Sequence, residues 1–145
     1  MRYRLATAIA LMICSTSPQA CAHGYKVKAI TVSHPWTKSV PEPPGADAIV
    51  SMELRNAGAP SDRLLRVETD VAASVTLRSP EGERELPDIP VPAKTTVELG
   101  PRRNHIRLQG LKRPLIAYDT LPITLIFEKS GRVRIDVLVE EIPAQ

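Results

Sequence analysis

Segment 104–109 carries the arrangement in this chain that comes closest to a pair of metal ligands. Its apolar residues Ile106 and Leu108 alternate with the polar residues His105, Arg107 and Gln109. In a β-strand this spacing turns the apolar pair towards a core and the polar residues towards the opposite face. A histidine and a methionine two residues apart on such a face could bind one soft metal ion. The second position, however, is Arg107, a permanent cation with no lone pair to donate.

His34 and His105 can each be explained without a metal. His34 precedes Pro35 and Trp36 at a predicted bend, where we expect a structural role, with metal binding as the alternative. We predict Trp36 to be a core residue. His105 stands among several arginines, and we expect an exposed side chain there, with metal ligation as the alternative. Nearby guanidinium groups would oppose a bound cation electrostatically.

The first 22 residues have the pattern of an export signal. Arg2 and Arg4 precede an apolar run over residues 5–13, which is too short to span a bilayer. The sequence Ala20-Cys21-Ala22 provides small residues around a cleavage site. We therefore predict a signal peptide over residues 1–22 and one exported domain over residues 23–145. The competing interpretation is a lipid anchor on Cys21.

Cleavage after Ala22 would make His23 the first residue of the mature chain. Its free α-amino group would then lie beside its own imidazole, and the two nitrogens could chelate one copper ion. Nitrogen ligands suit Cu(II), so a second imidazole from His34 or His105 could complete the site. The alternative is a disordered terminus that binds copper only weakly.

Composition excludes several classes of function. Because Arg2 and Arg4 leave with the signal, the mature chain holds 17 Lys and Arg against 16 Asp and Glu. This near balance, with few aromatic residues, excludes nucleic-acid binding. Both cysteines, Cys14 and Cys21, lie in the predicted signal, so we expect a mature monomer without disulfides or a membrane span. No familiar catalytic motif occurs, so we expect no enzyme.

The mature sequence has an almost purely two-residue hydropathy period, in short runs broken by Pro and Gly. In residues 132–139, for example, Val133, Ile135 and Val137 alternate with charged residues, and we expect these three to be buried with Ile106 and Leu108. The pattern predicts an all-β, antiparallel sandwich of two packed sheets. The other candidate strands are residues 26–32, 48–56, 63–69, 73–78, 95–99, 104–109 and 123–128.

Six segments, in order and spacing, resemble the PCu(A)C family of periplasmic copper chaperones. They are SHPWTK (33–38), PPGA (43–46), VPA (91–93), TVEL (96–99), HIRLQGLK (105–112) and LPITLIFE (121–128). The resemblance covers nearly all of the mature chain. It implies a cupredoxin-like Greek-key β-sandwich that carries copper in the periplasm. It also implies partners among the periplasmic or membrane-bound proteins that assemble respiratory copper centres.

The family's Cu(I) site uses two histidines and two methionines, and the resemblance assigns one of these positions to His105. The methionine expected two residues later is Arg107. The other histidine would follow segment 75–77, where this chain has Arg78 and Ser79, and the other methionine would fall near Glu83 or Arg84. Met52 matches no ligand position, and we expect it to fill core space.

Two functions therefore remain open. One is a copper chaperone-like protein whose site is degenerate or relocated, with His105, His23 and His34 as candidate ligands. The other is a metal-free paralogue that binds a protein or an anion. Arg78, Arg84 and Arg107 favour the second, because guanidinium groups suit carboxylate or phosphate.

Overall fold

The computed structural model describes residues 24–41, 45–80 and 84–141, and these ranges form eleven β-strands joined by short connections. The all-β class predicted from the sequence is confirmed. No helix long and apolar enough to cross a membrane occurs within these ranges. The strands are β1 (Gly24–Val27), β2 (Ile30–Lys38), β3 (Ala48–Asn56), β4 (Asp62–Glu68), β5 (Ala72–Arg78), β6 (Glu85–Leu86), β7 (Ile89–Val91), β8 (Thr95–Leu99), β9 (His105–Leu111), β10 (Thr120–Phe127) and β11 (Gly131–Glu140).

The strands are hydrogen-bonded in the order β6-β5-β9-β3-β2-β11-β10-β4-β7. β1 adds to β2, and β8 adds to β3. All pairs are antiparallel except β11 with β2, which are parallel. This is the cupredoxin-like sandwich that was predicted. Its two layers are not separate sheets, because hydrogen bonding continues from one to the other in a nearly closed, barrel-like sheet.

The core follows the period-two pattern from which the strands were predicted. In β11, Ile135, Val137 and Val139 are buried and alternate with the exposed residues Arg134, Asp136 and Leu138. In β9, Ile106 and Leu108 are completely buried. Val133 was also expected inside but is only partly buried, at the edge of the core. Met52 is buried among apolar residues, as expected for a space-filling side chain.

The first predicted strand is wrong as a continuous element. Residues 26–32 are divided by a two-residue turn, so that Val27 pairs with Ile30 and β1 folds back on β2. Lys28 adopts a left-handed conformation with φ of 50°, which this kind of hairpin turn requires. Apolar residues occur on both sides of the turn, and neither Gly nor Pro marks it, so the sequence gives little sign of it. The short strands β6 and β7 were also missed, because two or three residues cannot display a period.

A buried carboxylate ties the start of β4 to the turn between β10 and β11. Asp62 accepts hydrogen bonds from the backbone N–H groups of Arg63, Lys129 and Ser130 at 2.8, 2.9 and 3.0 Å. The Ser130 hydroxyl donates a fourth at 2.6 Å. Burial favours a higher pKa for this carboxyl group, but the four donors together outweigh burial and lower its pKa below the ordinary value.

Candidate metal site

Four adjacent strands present a row of side chains on the outer face of the sheet. Val50 of β3 pairs with Ile106 of β9, which pairs with Leu77 of β5, and this row lies in the core. The next residue along each strand must point to the opposite face. The outer row therefore runs through Trp36, Ser51, His105 and Arg78, since Trp36 pairs with Ser51 and His105 with Arg78.

His105 opens β9 and is buried, with 2% of its surface exposed. The expectation of an exposed side chain is wrong. Its Nδ1 lies 2.9 Å from the carbonyl oxygen of Arg103, in the turn that precedes the strand. Because a carbonyl can only accept, Nδ1 carries the hydrogen and the lone pair of the neutral ring is on Nε2. Ligating histidines are commonly oriented by such a bond. In the described ranges the ring has no other hydrogen-bond partner.

Arg78 is the direct cross-strand neighbour of His105. The Cβ atoms of such pairs lie about 4.5 to 5.5 Å apart, so the two side chains share one small space. Arg78, at the position that the resemblance assigns to the family's first histidine, is therefore next to His105. The guanidinium of Arg78 donates from Nε to the hydroxyl of Thr76 at 3.1 Å, and that hydroxyl donates to Gln109 at 3.2 Å.

Arg107 is held by a carboxylate from a neighbouring strand connection. Its Nε and Nη2 donate to Oδ2 of Asp47 at 3.1 and 2.8 Å, and both side chains are about one-third exposed. The other oxygen of Asp47 accepts from the backbone N–H of Gly110 at 3.2 Å. Arg84 is exposed, and its carbonyl accepts from the N–H of Ser79 at 3.0 Å. In the described ranges no hydrogen bond links the three arginines of the predicted anion site.

His34 lies in a β-bulge, where the pairing of β2 with β3 shifts between Ser33 and Trp36. Its φ is 47°, and its ring is 72% exposed with Nε2 at 3.4 Å from Oε1 of Glu140. β3 lies between β2 and the strand of His105. Two strand spacings amount to about 10 Å, so the fold does not bring His34 and His105 to one ion.

The same bulge explains why the prediction for Trp36 is wrong. Before it, Ile30 and Val32 point inward, and after it Pro35 and Thr37 do. Because the bulge adds one residue, the inward-facing positions change from even to odd residue numbers. Trp36 therefore points to the outer face and is only half-buried. There it lines an open groove of about 510 Å³ together with His34, Lys38 and the loop that precedes β9. An expectation of strict alternation along segment 30–38 places Trp36 in the core and therefore does not predict this groove.

Some predicted sites fall outside the described residues. They are the signal peptide, His23, Cys21 and the loop position at Glu83. Among residues 24–41, 45–80 and 84–141, no group of three or more His, Cys, Asp or Glu side chains is arranged to hold a metal ion. His105 and His34 are thus separate candidates. In these ranges the ring of His105 has one hydrogen-bond partner, the carbonyl of Arg103, and the ring of His34 has one ion-pair partner, Glu140.

The architecture and the position of His105 define a cupredoxin-like domain of the PCuAC type. Residues 30–139 match the sequence model of the LpqE-like lipoprotein family, and the chain belongs to that family. No curated protein sequence matches the chain. Three solved structures illustrate the similarity, all at about a quarter sequence identity or slightly more.

The apo PCuAC domain from PmoF1 is 27% identical, with a TM-score of 0.76, over 83% of this chain and 100% of that one. The copper-bound PCuAC domain from PmoF2 is 28% identical, with a TM-score of 0.75, over 83% and 99%. The Cu(I) form of DR1885 from Deinococcus radiodurans, solved in solution, is 26% identical, with a TM-score of 0.62, over 83% of each chain. The resemblance stated from the sequence is confirmed.

Proposed function

We propose that this protein is an exported, monomeric copper-binding protein of the chaperone type, with a binding rather than a catalytic role. It would deliver copper in the periplasm to proteins that assemble respiratory copper centres. Its similarity to PCuAC domains, two of them solved with copper, supports this role. The observation that carries it is this structural match, which extends over 83% of the chain. His105 lies at the position that the resemblance assigns to one ligand, with Nδ1 bonded to a backbone carbonyl.

The inherited site is degenerate in this proposal. Cu(I) favours thioether and imidazole donors, and one imidazole alone holds it weakly. Arg78 places a cation in the cross-strand position next to His105, and Arg107 provides no donor atom. Copper that is bound tightly must therefore use a relocated site with other ligands.

The test measures copper in the protein as the cell exports it. Purified mature protein is assayed for copper content and oxidation state, and Cu(I) affinity is measured by competition with a chromogenic chelator. We expect weak Cu(I) binding in wild type and little further loss in His105→Ala. Tight binding of one Cu(I) that disappears in His105→Ala would show that the inherited site still works.

The mature amino terminus is part of the same proposal. Cleavage after Ala22 produces a chain that begins at His23, whereas the lipoprotein description of the family favours a lipid on Cys21. Intact mass spectrometry of the exported protein distinguishes the two. A mass equal to residues 23–145 supports cleavage after Ala22, and an added diacylglycerol on Cys21 supports the anchor.

The second candidate function is a metal-free module that binds an anion or an acidic protein. It is favoured by Arg78, whose Nε is bonded to a neutral hydroxyl and which has no carboxylate partner in the described ranges. Arg107 is less suitable, because Asp47 already neutralises it. Titration with inorganic phosphate, followed by NMR shifts of β5 and β9, tests this function. Saturable shifts in copper-free protein that vanish in Arg78→Gln would favour the second candidate over the first.

A further inference from the structure

The bulge in β2 turns the only tryptophan of the chain towards solvent. At this bulge His34 has φ of 47°, a left-handed conformation that is strained in a residue with a side chain. The inward position after the bulge is filled by Thr37, which is completely buried, and Trp36 is left half-buried on the outer face. Bulges often direct a side chain in this way next to a functional site, and tryptophan is among the residues that contribute most to protein interfaces.

Trp36 lies in the middle of a long groove on the outer face. The hollow of about 510 Å³ beside His34 borders a second hollow of about 340 Å³, and both are lined by Trp36, Lys38 and Pro101. We call the two hollows together the Trp36 groove. Its lining extends along the chain from His34 to Val40. At about 3.3 Å per residue this is a length of about 20 Å, which accommodates about six residues of an extended peptide.

Two cations without a counter-charge line this groove together with Trp36. Lys38 and Arg102 are both exposed, and neither has an ion-pair partner within residues 24–41, 45–80 and 84–141. Glu140 is the cross-strand neighbour of Lys38, but its carboxylate lies 3.4 Å from the ring of His34 instead. Carboxylates of a bound segment could therefore pair with both cations.

The carboxylates that line the groove are mostly neutralised. Glu53 and Glu98 are opposite each other on β3 and β8, at the end of the groove before the bulge. Arg103 binds Glu98 at 3.0 Å, and in the second hollow Asp47 is bound by Arg107 at 2.8 Å. In the described part of the chain the groove thus has two free cations against the one free carboxylate of Glu53. It suits an acidic ligand whose end at Glu53 carries no negative charge.

We propose that the Trp36 groove docks an extended acidic segment of a partner protein. An apolar side chain of the segment would cover the indole of Trp36, and neighbouring carboxylates would pair with Lys38 and Arg102. The turn that supplies Arg102 also supplies the carbonyl of Arg103 that is bonded to Nδ1 of His105, so a docked partner would lie beside the candidate copper ligand. Docking itself requires no metal and therefore extends beyond the proposed function.

The test follows the fluorescence of Trp36, which reports on the groove because the chain has no other tryptophan. Copper-free exported protein is titrated with a blocked peptide that has a central leucine, aspartates on one side of it and serines on the other, and calorimetry measures the affinity. A comparison peptide has lysine in place of every aspartate. The variants are Lys38→Glu and Arg102→Glu, both at exposed positions, and Trp36→Ala, which is measured by calorimetry alone. Arg134→Gln is the matched control, an exposed arginine outside the groove.

We expect saturable binding of the acidic peptide with a change in Trp36 emission, and no binding of the lysine peptide. Each charge reversal should weaken binding by at least about fivefold and Trp36→Ala by at least about tenfold, with the control unchanged. The absence of saturable binding up to about 1 mM peptide, or an affinity that both charge reversals leave unchanged, overturns the inference.

Other occupants of the groove give different results, and each of them also overturns the inference. The same emission change with inorganic phosphate would indicate a site for small anions. Emission that depends on protein concentration without peptide would indicate a contact between two copies of the chain. Peptide binding that is lost in Arg78→Gln would belong to the second candidate function. Copper affinity, measured separately in wild type, decides the proposed function whatever the peptide does.

Discussion

Rebuilding the Cu(I) site that the resemblance implies is the most direct test of its proposed location. Arg78 is the cross-strand neighbour of His105, and Arg107 follows His105 by two residues on the same face. The double variant Arg78→His with Arg107→Met would place two imidazoles and one thioether around a common space. We expect Cu(I) affinity to rise strongly, because three of the four donor positions of the family would then be filled.

The size of the effect follows from charge and from ligand number. A guanidinium about 6 Å from an ion on Nε2 of His105 opposes it by about 3 kcal/mol at an effective dielectric constant of about 20. Removing Arg78 should therefore raise affinity about a hundredfold, since about 1.4 kcal/mol corresponds to a factor of ten. Removing Arg107 leaves the carboxylate of Asp47 without its cation, which should add a further electrostatic gain. The new donors should add at least about another tenfold each.

The assay is competition for Cu(I) with a chromogenic chelator under anaerobic conditions. The matched control is Arg78→Gln with Arg107→Leu, which removes the same charges and adds neither imidazole nor thioether. We expect the control to show only the electrostatic part of the gain. His105→Ala in the rebuilt variant should abolish the gain. If the rebuilt variant binds no more tightly than the control, the register does not place these positions around one ion, and the reasoning fails.

Two further predictions concern stability, both measured by urea unfolding. Asp62→Asn should lower the free energy of unfolding by about 3 kcal/mol at pH 7, because an amide cannot accept all four hydrogen bonds. The folded-state pKa of Asp62 is lowered, so its ionised form stabilises the fold above the unfolded pKa of 3.8 and this contribution is lost as pH falls through the lower folded pKa. The difference between the two proteins should narrow below pH 3.8, and an unchanged difference would refute the assignment. Gly58→Ala should cost about 1 to 3 kcal/mol, because its Cβ would lie 2.9 Å from that of Ala29. Gly100→Ala is the control, with its nearest contact at 3.6 Å, and equal losses in the two variants would contradict a steric cause.

Local alternation was sufficient to predict most strands. β3 and β8 have the bounds expected from hydropathy, and β11 differs by one residue at each end. The failures occur where one residue changes the direction of the side chains. The left-handed turn at Lys28 divides segment 26–32 into two strands. The bulge at His34 changes which side chains of β2 point inward, so Trp36 was expected on the wrong face of the sheet. The alternation of apolar and polar residues does not indicate a bulge when the residues on both sides of it are apolar.

The candidate site was predictable only in part. The resemblance to PCu(A)C proteins assigned ligand positions to His105, Arg78 and Arg107, and the assignment stays a prediction; the structure shows that Arg78 pairs with His105 across two strands. The burial of His105 was not predictable, because it depends on how the loop before β9 folds back on the sheet. The pairing of Arg107 with Asp47 and the contact of His34 with Glu140 join residues far apart in the chain. Contacts of this kind require the tertiary structure.

The fold does not depend on the metal ligands that the resemblance implies, because different atoms would hold the metal and maintain the sheet. The space beside His105 is fixed by backbone pairing among β3, β9 and β5 and by the apolar row of Val50, Ile106 and Leu77 on the other face. An arginine at a position where the family has a soft donor would leave that framework intact, provided that its charge is satisfied. Asp47 satisfies the charge of Arg107 with two hydrogen bonds and is itself anchored by the N–H of Gly110. The arginine is therefore an integrated part of the sheet surface. Its replacement by methionine would leave Asp47 without its cation, beside the position that a bound Cu(I) would occupy in the proposed site.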